Sequence, residues 1–220
     1  MSRVPTLLLQ DGDVWVFDKP SGYSVHSAGE KGVPDVLSWA RETLGASREL
    51  AAVHRLDRAT SGVLLCSPNV AVRRMLSGWF SQGEIRKEYR TLVYGCTNDR
   101  FQVERSLHDR RRQKKLPAAT RCRRLRAYRL LTYLTVSPET GRRHQIRRHL
   151  RGIGHPIVGD RRYGPSRPPA VPGFPGRLWL HALRLETPDG RSFEAPLPPE
   201  LQSHLALLDQ IDGVAGDEPE

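Results

Sequence analysis

Hydrophobic and polar positions follow two different periods along the chain, which predicts a mixture of β-strands and α-helices. Short apolar runs between turn residues indicate buried strands, and Val63-Leu64-Leu65-Cys66 is the clearest of these runs. Between residues 69 and 82, apolar side chains recur at helical spacing after Asn69, which is a favourable N-cap residue.

The same criteria assign further elements along the whole chain. The predicted strands cover residues 4–9, 13–18, 63–66, 85–95, 130–136, 178–185 and 193–196, and the predicted helices cover residues 34–44, 69–82, 141–150 and 199–208. No internal repeat or long linker divides the chain. We therefore expect one domain over residues 1–208, followed by an acidic, frayed tail over residues 209–220.

The charge balance points to a polyanionic partner. Lys and Arg number 35 against 24 Asp and Glu, which gives a formal net charge of +11. Such an excess favours nucleic acid. The most basic stretch, residues 105–129, is either an exposed hairpin with solvated charges or an arm that tracks phosphates, and we favour the arm. The residues of this basic arm that we expect to contact phosphates are Arg110, Arg111, Arg112, Lys114 and Lys115.

Cysteine usage and the N-terminal sequence bear on the compartment. Cys66, Cys96 and Cys122 form no Cys-x-x-Cys pair, so neither a zinc site nor a disulfide framework is indicated. Cys66 lies in the apolar run and is expected to be a small core residue. The first residues hold three consecutive leucines, too few for a signal peptide or a membrane span. We expect a cytoplasmic, monomeric protein without a membrane anchor.

Charge is concentrated at the start of the clearest buried strand. Asp57 lies between Arg55 and Arg58, and Thr60-Ser61-Gly62 follows as a turn. On local chemistry alone, this pattern is that of a turn that hydrogen-bonds its own backbone beside a solvated ion pair.

A second concentration of charge lies in the predicted helix over residues 141–150. At helical spacing, Arg143, Arg147 and Arg151 would share one face beside Ile146 and Leu150. Like charges at this spacing repel each other. An anionic partner, or a carboxylate from elsewhere in the chain, would relieve that repulsion.

Six segments resemble, in order, the motifs of the RluA-type pseudouridine synthases. They are KPSGYSVH at residues 19–26, HRLDRATSGVLL at 54–65, Lys87-x-Tyr89, TGRRHQIR at 140–147, HPIVGDRRYG at 155–164, and LHA at 180–182. The resemblance covers most of the chain. It implies an α+β pseudouridine synthase fold, with a central, mostly antiparallel mixed sheet flanked by helices and loops, and a catalytic cleft. It also implies isomerisation of uridine in RNA to pseudouridine, without a metal or another cofactor.

The resemblance assigns roles to individual residues. Asp57 corresponds to the catalytic carboxylate, Arg147 to the arginine that pairs with it, and Tyr89 to the tyrosine beside the flipped base. Arg55 corresponds to the arginine that enters the space left by that base, and His54 is expected to support the loop.

Four more residues take supporting roles by the same resemblance. Lys87 and Arg143 are expected to contact RNA, and Ile146 and Leu180 to line the pocket. The pair Arg147-Arg148 resembles the tRNA-modifying branch of the family more than the branch that acts on large-subunit ribosomal RNA. We therefore favour tRNA as the substrate.

Two other functions would account for parts of the sequence. A non-catalytic RNA-binding domain would keep the basic surface but would not need Asp57, Tyr89 and Arg147 together. A histidine- or metal-dependent nuclease could use His144, His149 and His155, but their spacing suits no known ligand motif.

Overall fold

The structure, a computed structural model, describes residues 3–26, 32–109 and 112–215. The chain divides into two compact units. The first comprises Met1–Glu88 and His181–Pro196, and the second comprises Tyr89–Leu180 and Leu197–Glu220.

The predicted elements occur in the predicted order, and residues 51–52, 100–104, 107–109, 114–116 and 119–127 form five further strands that were not predicted. The first stretch of chain holds β1 (Thr6–Asp11), β2 (Val14–Lys19), α1 (Val36–Leu44), β3 (Ala51–Ala52), β4 (Ser61–Ser67) and α2 (Val70–Gln82). Next come β5 (Arg86–Tyr94), β6 (Arg100–Glu104), β7 (Leu107–Asp109), β8 (Lys114–Leu116), β9 (Ala119–Ala127), β10 (Leu131–Pro138) and α3 (Gln145–Gly152). The last elements are β11 (Leu180–Glu186), β12 (Ser192–Glu194) and α4 (Pro199–Ala215). This content confirms the α+β class.

In the first unit, a mixed sheet surrounds the strand that the apolar run predicts. The strand order is β1-β2-β4-β11, with β3 paired to β4 and β12 paired to β11. Every residue of β4 is buried. The β4–β11 pairing is parallel and the other pairings are antiparallel. One face of the sheet packs on α1 in a core that includes Phe17, Leu64 and Cys66, which confirms the prediction for Cys66.

Gly62 is required where β4 meets β11. It has a φ of 120°, and a Cβ atom placed on it would lie 2.1 Å from the carbonyl oxygen of Ala182. No side chain can be added there without moving one of the two strands. The glycine of the Thr-Ser-Gly segment therefore allows close backbone approach beside the loop that carries Asp57.

In the second unit, the strands run β5-β10-β9-β6, all antiparallel, and α3 packs against β9 and β10. Gln145 and His149 of α3 both bond to Thr120 of β9, which fixes the face of the sheet that α3 covers. Directly opposed residues share a face. The register pairs Tyr89 with Val136, and Val136 with Cys122. Tyr89 therefore lies on the face that α3 covers.

Two predicted boundaries were wrong. The helix predicted from Gly141 begins only at Gln145, since His144 adopts a left-handed conformation with a φ of 53° and interrupts it. The final helix continues past the predicted end at Leu208 to Ala215, and Asp209 accepts bonds from Arg126 and Tyr128. The division into one domain and a frayed tail stays a prediction, and residues 216–220 lie outside the described residues. Among the described helices, none has the length and apolar content needed to cross a bilayer.

Candidate functional site

The loop that carries Asp57 lies between β3 and β4. Asp57 is half-buried, whereas Arg55 and Arg58 on either side are exposed. The backbone N–H of Thr60 donates to the carbonyl oxygen of Asp57 at 3.0 Å and closes a tight turn. The carboxylate is thus presented by a loop whose C-terminal end is anchored in the fully buried strand β4.

Lys19 ties this loop to the turn at residues 19–23. It is fully buried, and its Nζ donates to the carbonyl oxygens of Pro20 at 3.1 Å, Tyr23 at 2.7 Å and Arg58 at 3.2 Å. The carbonyl of Arg58 also accepts from the N–H of Gly22 at 2.8 Å. A buried ammonium surrounded by carbonyl oxygens is stabilised in place. Lys19 therefore holds the carbonyl group of Arg58, the residue that follows Asp57.

Two further bonds join the same segments. Arg58 Nε donates to the carbonyl of Gly22 at 2.9 Å, and Ser21 Oγ donates to that of Ala59 at 2.8 Å. This Lys-Pro-x-Gly segment is one of the motifs that resemble the family, but the sequence alone did not show that it supports the loop. Only the fold brings residues 19–23 beside residues 58–59.

His54 supports the loop from its other end. Its ring stacks on Phe80, with centroids 4.4 Å apart, and its Nε2 accepts the backbone N–H of Leu65 at 3.0 Å. Burial lowers the pKa of His54 to about 3, and the nearby charge of Lys87 acts in the same direction. His54 is therefore neutral at physiological pH, in a position suited to packing.

Lys87 and Tyr89 are two residues apart on β5, so they project to the same face of that strand. Both are half-buried. Burial also lowers the pKa of Lys87. Their roles in RNA contact and beside the flipped base stay predictions.

Gln145 determines how the chain enters α3. Its side-chain oxygen accepts from the hydroxyl of Thr140 at 2.6 Å and from the N–H of Arg142 at 3.0 Å. Its side-chain nitrogen donates to the carbonyl of Ala119 at 2.9 Å and to Thr120 Oγ1 at 3.0 Å. These bonds fold residues 140–144 into a turn on β9, so Arg143 is exposed ahead of the helix. The expected stack of Arg143 on Arg147 and Arg151 is therefore wrong.

Arg147 lies on α3 and is held by Asp160. Its Nε donates to Oδ2 and its Nη2 to Oδ1, each at 2.8 Å, and the side chains are 9% and 0% exposed. Burial alone would raise the pKa of Asp160, but hydrogen bonds from Arg147 and from the backbone of Tyr163 and Arg162 lower it. The carboxylate that relieves the charge of Arg147 is thus supplied within the second unit.

Tyr163 and His144 complete the surroundings of this ion pair. The guanidinium of Arg147 lies 5.1 Å from the centre of the Tyr163 ring, and the Tyr163 hydroxyl is 2.9 Å from His144 Nδ1. Sequence reasoning passed over Asp160 and Tyr163, although both lie in the HPIVGDRRYG segment. The positive φ of His144, which is uncommon for a residue other than glycine, also falls here.

The predicted site residues are divided between the two units. Asp57, Arg55, His54 and Lys87 belong to the first unit, while Tyr89, Arg143, Arg147, Ile146 and Leu180 belong to the second. Ile146 and Leu180 are both buried. The pairing of Arg147 with Asp57, the pocket role of Ile146 and Leu180, and the catalytic cleft stay predictions.

The residues of the basic arm belong to two different sheets. Residues 107–116 contain the β7–β8 hairpin, where Arg112, Lys114 and Lys115 are exposed, whereas β9 belongs to the larger sheet. Arg110 and Arg111 lie outside the described residues. On β9, carboxylates hold three arginines, through the ion pairs Arg121–Glu139, Arg124–Asp99 and Arg126–Asp209.

The three histidines considered for a nuclease have separate partners. His149 bonds to Thr120 and to the carbonyl of Arg105, while His155 bonds to the carbonyl of Tyr94. In the part of the chain that the structure describes, no group of three or more His, Cys, Asp or Glu side chains is placed to hold a metal ion. The histidine arrangement therefore gives the nuclease hypothesis no support.

With this geometry in place, comparison with known proteins decides the family. A family model described as RNA pseudouridylate synthase matches residues 13–151, a span that includes Asp57, Tyr89 and Arg147. The chain belongs to the RluA-type RNA pseudouridine synthase family. This assignment confirms the family that the sequence motifs indicate, which is a family of isomerases.

Two relatives of this pseudouridine synthase are named for different RNA substrates. Ribosomal large subunit pseudouridine synthase D of Neisseria meningitidis serogroup A is 30% identical over 226 residues, covering 92% of this chain and 60% of that protein. The tRNA pseudouridine synthase C of Salmonella typhimurium is 35% identical over 208 residues, covering 82% of this chain and 78% of that protein. The chain thus spans less than two thirds of the first relative's length.

A solved structure supports the fold of this family member. Human RNA pseudouridylate synthase domain containing 4 matches with a TM-score of 0.77 at 23% identity, over 92% of each chain. This likeness confirms the predicted pseudouridine synthase fold.

Proposed function

We propose that this protein isomerises a uridine in structured RNA to pseudouridine and that Asp57 is its catalytic carboxylate. The observation that carries the proposal is the family match over the segment that contains Asp57. Lys19 and His54 hold the two ends of the Asp57 loop. A nucleophile needs such positioning.

The reaction is a rearrangement without net oxidation. The bond from uracil N1 to the ribose C1′ breaks, the base turns, and a bond from C5 to C1′ forms. The proton on C5 leaves to solvent and N1 gains a proton, so the composition is unchanged. A carboxylate nucleophile divides one difficult step into easier ones. Asp57 supplies that carboxylate, and no step requires a metal or redox cofactor.

Two residues assist Asp57. Tyr89 offers a ring for stacking on the everted base and a hydroxyl for proton transfer at C5. Arg147 supplies positive charge that favours the ionised form of a nearby carboxylate. Its own position is fixed by the bidentate pair with Asp160, so its charge is directed rather than free to move.

The remaining residues serve access and binding. The target uridine must leave its stack, at a cost of a few kcal/mol. Arg55, which is exposed, is assigned to the vacated space because its planar guanidinium can stack on bases. Lys87, Arg143 and the basic arm contact phosphates, and Ile146 and Leu180 line the pocket.

We propose tRNA as the substrate and the cytoplasm as the compartment. The relative named for tRNA is 35% identical with 78% of its length covered, against 30–34% and 60–69% for relatives named for the ribosomal large subunit. Ribosomal RNA is the alternative substrate. Pseudouridine mapping across cellular RNA, with and without this protein, tests the choice. Loss of a tRNA position supports the proposal, and loss of a 23S-type ribosomal position supports the alternative.

A non-catalytic RNA-binding domain is the other alternative. Tritium release from RNA labelled at uridine C5 separates it from the enzyme, since only turnover removes the C5 hydrogen. We expect release in the presence of a chelator. RNA binding without release, tested on total RNA from cells that lack this protein, would favour the binding domain.

A further inference from the structure

A row of three arginines and one threonine crosses the second unit's sheet, on the face opposite to α3. The register pairs Arg90 with Thr135, Thr135 with Arg123, and Arg123 with Arg100, so these four residues of β5, β10, β9 and β6 share one face. We call this set the arginine row. Thr120 and Cys122 of β9 are buried, and Thr120 is bonded to α3. Because strand residues alternate between faces, Arg123 lies on the face opposite to α3.

Arg100 and Arg123 oppose each other directly on neighbouring strands. Both are exposed, and among the described residues neither guanidinium has a hydrogen bond or an ion pair. Like charges placed directly opposite each other in a sheet are destabilising. The pair therefore lowers stability in the absence of a ligand.

The acidic residues near Arg100 and Arg123 are engaged by other partners. Asp99 pairs with Arg124, Glu139 pairs with Arg121, and Glu104 accepts a bond from Gln102. Arg121 lies two residues from Arg123 on the same face of β9 and differs from it in having a carboxylate at 2.6 Å. Among the described residues, the positive charges of Arg100 and Arg123 are thus left uncompensated next to arginines that are compensated.

The polar members of the row suit a phosphate backbone. Arg90, which is half-buried, donates to the hydroxyl of the buried Thr135 at 2.6 Å and is thereby held at the inner end of the row, while Arg100 and Arg123 form its exposed end. Neighbouring strands are about 4.8 Å apart, so the row extends about 14 Å from β5 to β6. Arginine binds phosphate oxygens through paired N–H groups. A set of this length can hold consecutive phosphates of one strand.

We propose that the arginine row is a second RNA-binding surface, which holds phosphates of the substrate RNA on the opposite face of the sheet from Tyr89 and Arg147. The inference rests on the proposed function for its choice of RNA as the partner. It assigns Arg100, Arg123 and Arg90 to phosphate contact away from the modified uridine. It also separates Arg123 from the other arginines of β9, whose charges are already paired.

The test compares single substitutions in the full-length protein. Affinity for an unmodified tRNA transcript is measured from 0.05 to 0.3 M KCl for Arg123→Gln, Arg100→Gln and the matched control Arg121→Gln. Loss of one phosphate contact lowers the slope of log affinity against log salt by about 0.7–0.9. That corresponds to about five- to eightfold weaker binding at 0.1 M KCl. We expect this change for Arg123→Gln and Arg100→Gln, and less than half of it for Arg121→Gln.

A charge-preserving variant distinguishes loss of the phosphate contact from loss of folding. Arg123→Lys should restore most of the slope, and Arg123→Gln should melt no lower than the wild type without RNA, because it removes a repulsion. Equal slopes for Arg123→Gln and Arg121→Gln, or an unchanged slope for Arg123→Gln, would overturn the proposal. Tritium release by the wild type is measured separately. Its absence would refute the proposed reaction while leaving the slope comparison to decide the surface.

Discussion

Arg147 and Asp160 form a bidentate ion pair, with Nε–Oδ2 and Nη2–Oδ1 distances of 2.8 Å, in which the carboxylate is fully buried. Asp160 also accepts the N–H groups of Arg162 and Tyr163. The segment after α3 is thereby fixed to the arginine that the resemblance places in catalysis. We propose that Asp160 acts through Arg147 as a positioning residue.

Replacing Asp160 tests this relationship. Asp160→Asn removes the negative charge that is paired with the buried guanidinium of Arg147, and breaking such a pair costs about 3–5 kcal/mol of folding free energy. Urea unfolding should show that loss, and kcat for tritium release should fall more than KM rises, because the orientation of Arg147 is disturbed. Asp160→Glu should recover part of kcat. Full activity and full stability in Asp160→Asn would remove the proposed role.

Substitution of Lys19 tests the support of the Asp57 loop. Lys19→Met retains much of the volume but removes three bonds to carbonyl oxygens. The expected loss is about 3 kcal/mol in the free energy of unfolding, because hydrogen bonds to charged groups contribute about 1.5–3 kcal/mol each and the desolvation of the buried ammonium offsets part of their sum. Lys115→Met on the exposed hairpin is the control and should unfold like the wild type. Equal urea midpoints for the two variants would show that Lys19 does not stabilise the loop.

The lowered pKa of His54 predicts a dependence of stability on pH. The folded-state pKa is about 3, below the ordinary value of 6.5. The unfolded chain therefore binds a proton first as pH falls below 6.5, and stability is lost between that pH and about 3. Between pH 7.5 and pH 5, His54 should remove about 2 kcal/mol. His149 and His204, whose pKa values burial also lowers, add to the trend in the same direction.

The contribution of His54 is isolated by comparison with His54→Gln, which can still accept the N–H of Leu65. Unfolding in urea at both pH values should show a smaller loss for the variant than for the wild type. Identical pH dependence in the two proteins would mean that His54 titrates normally.

Gly62→Ala tests the close approach of β4 and β11. The added Cβ would lie 2.1 Å from the Ala182 carbonyl oxygen, and the φ of 120° is strained for alanine. We expect a loss of about 3 kcal/mol or more. Gly78→Ala in α2, where no atom lies within 4 Å of the added Cβ, should instead stabilise by about 0.5–1 kcal/mol. Thermal melting that shows the same change for both variants would contradict this account.

Local signals in the sequence predicted the four helices and seven of the twelve strands. Asn69 caps α2 through bonds to the N–H groups of Ala71 and Val72, and Gly45 ends α1 in a left-handed conformation. The apolar run at residues 63–66 predicted the buried strand β4. Each of these features depends on residues a few positions apart, which is why the pattern of side chains sufficed.

Features that depend on distant segments were missed. The start of α3 is set by bonds from Gln145 to Ala119 and Thr120 on another strand, so helical spacing placed it too early. The role of Lys19 requires the carbonyl of Arg58, and the opposition of Arg100 and Arg123 requires the register of β6 and β9. Such contacts exist only once the sheet has formed, and no local pattern indicates them.

The central claim is that Asp57 carries the reaction, and tritium release from RNA labelled at uridine C5 measures it most directly. Asp57→Asn keeps the shape of the side chain but removes its charge and nucleophilicity, and Asp11→Asn on the exposed surface of β1 is the control. The account predicts a loss of about a thousandfold or more for Asp57→Asn, with RNA affinity and the control little changed. Release by Asp57→Asn at a rate close to that of the control would contradict it.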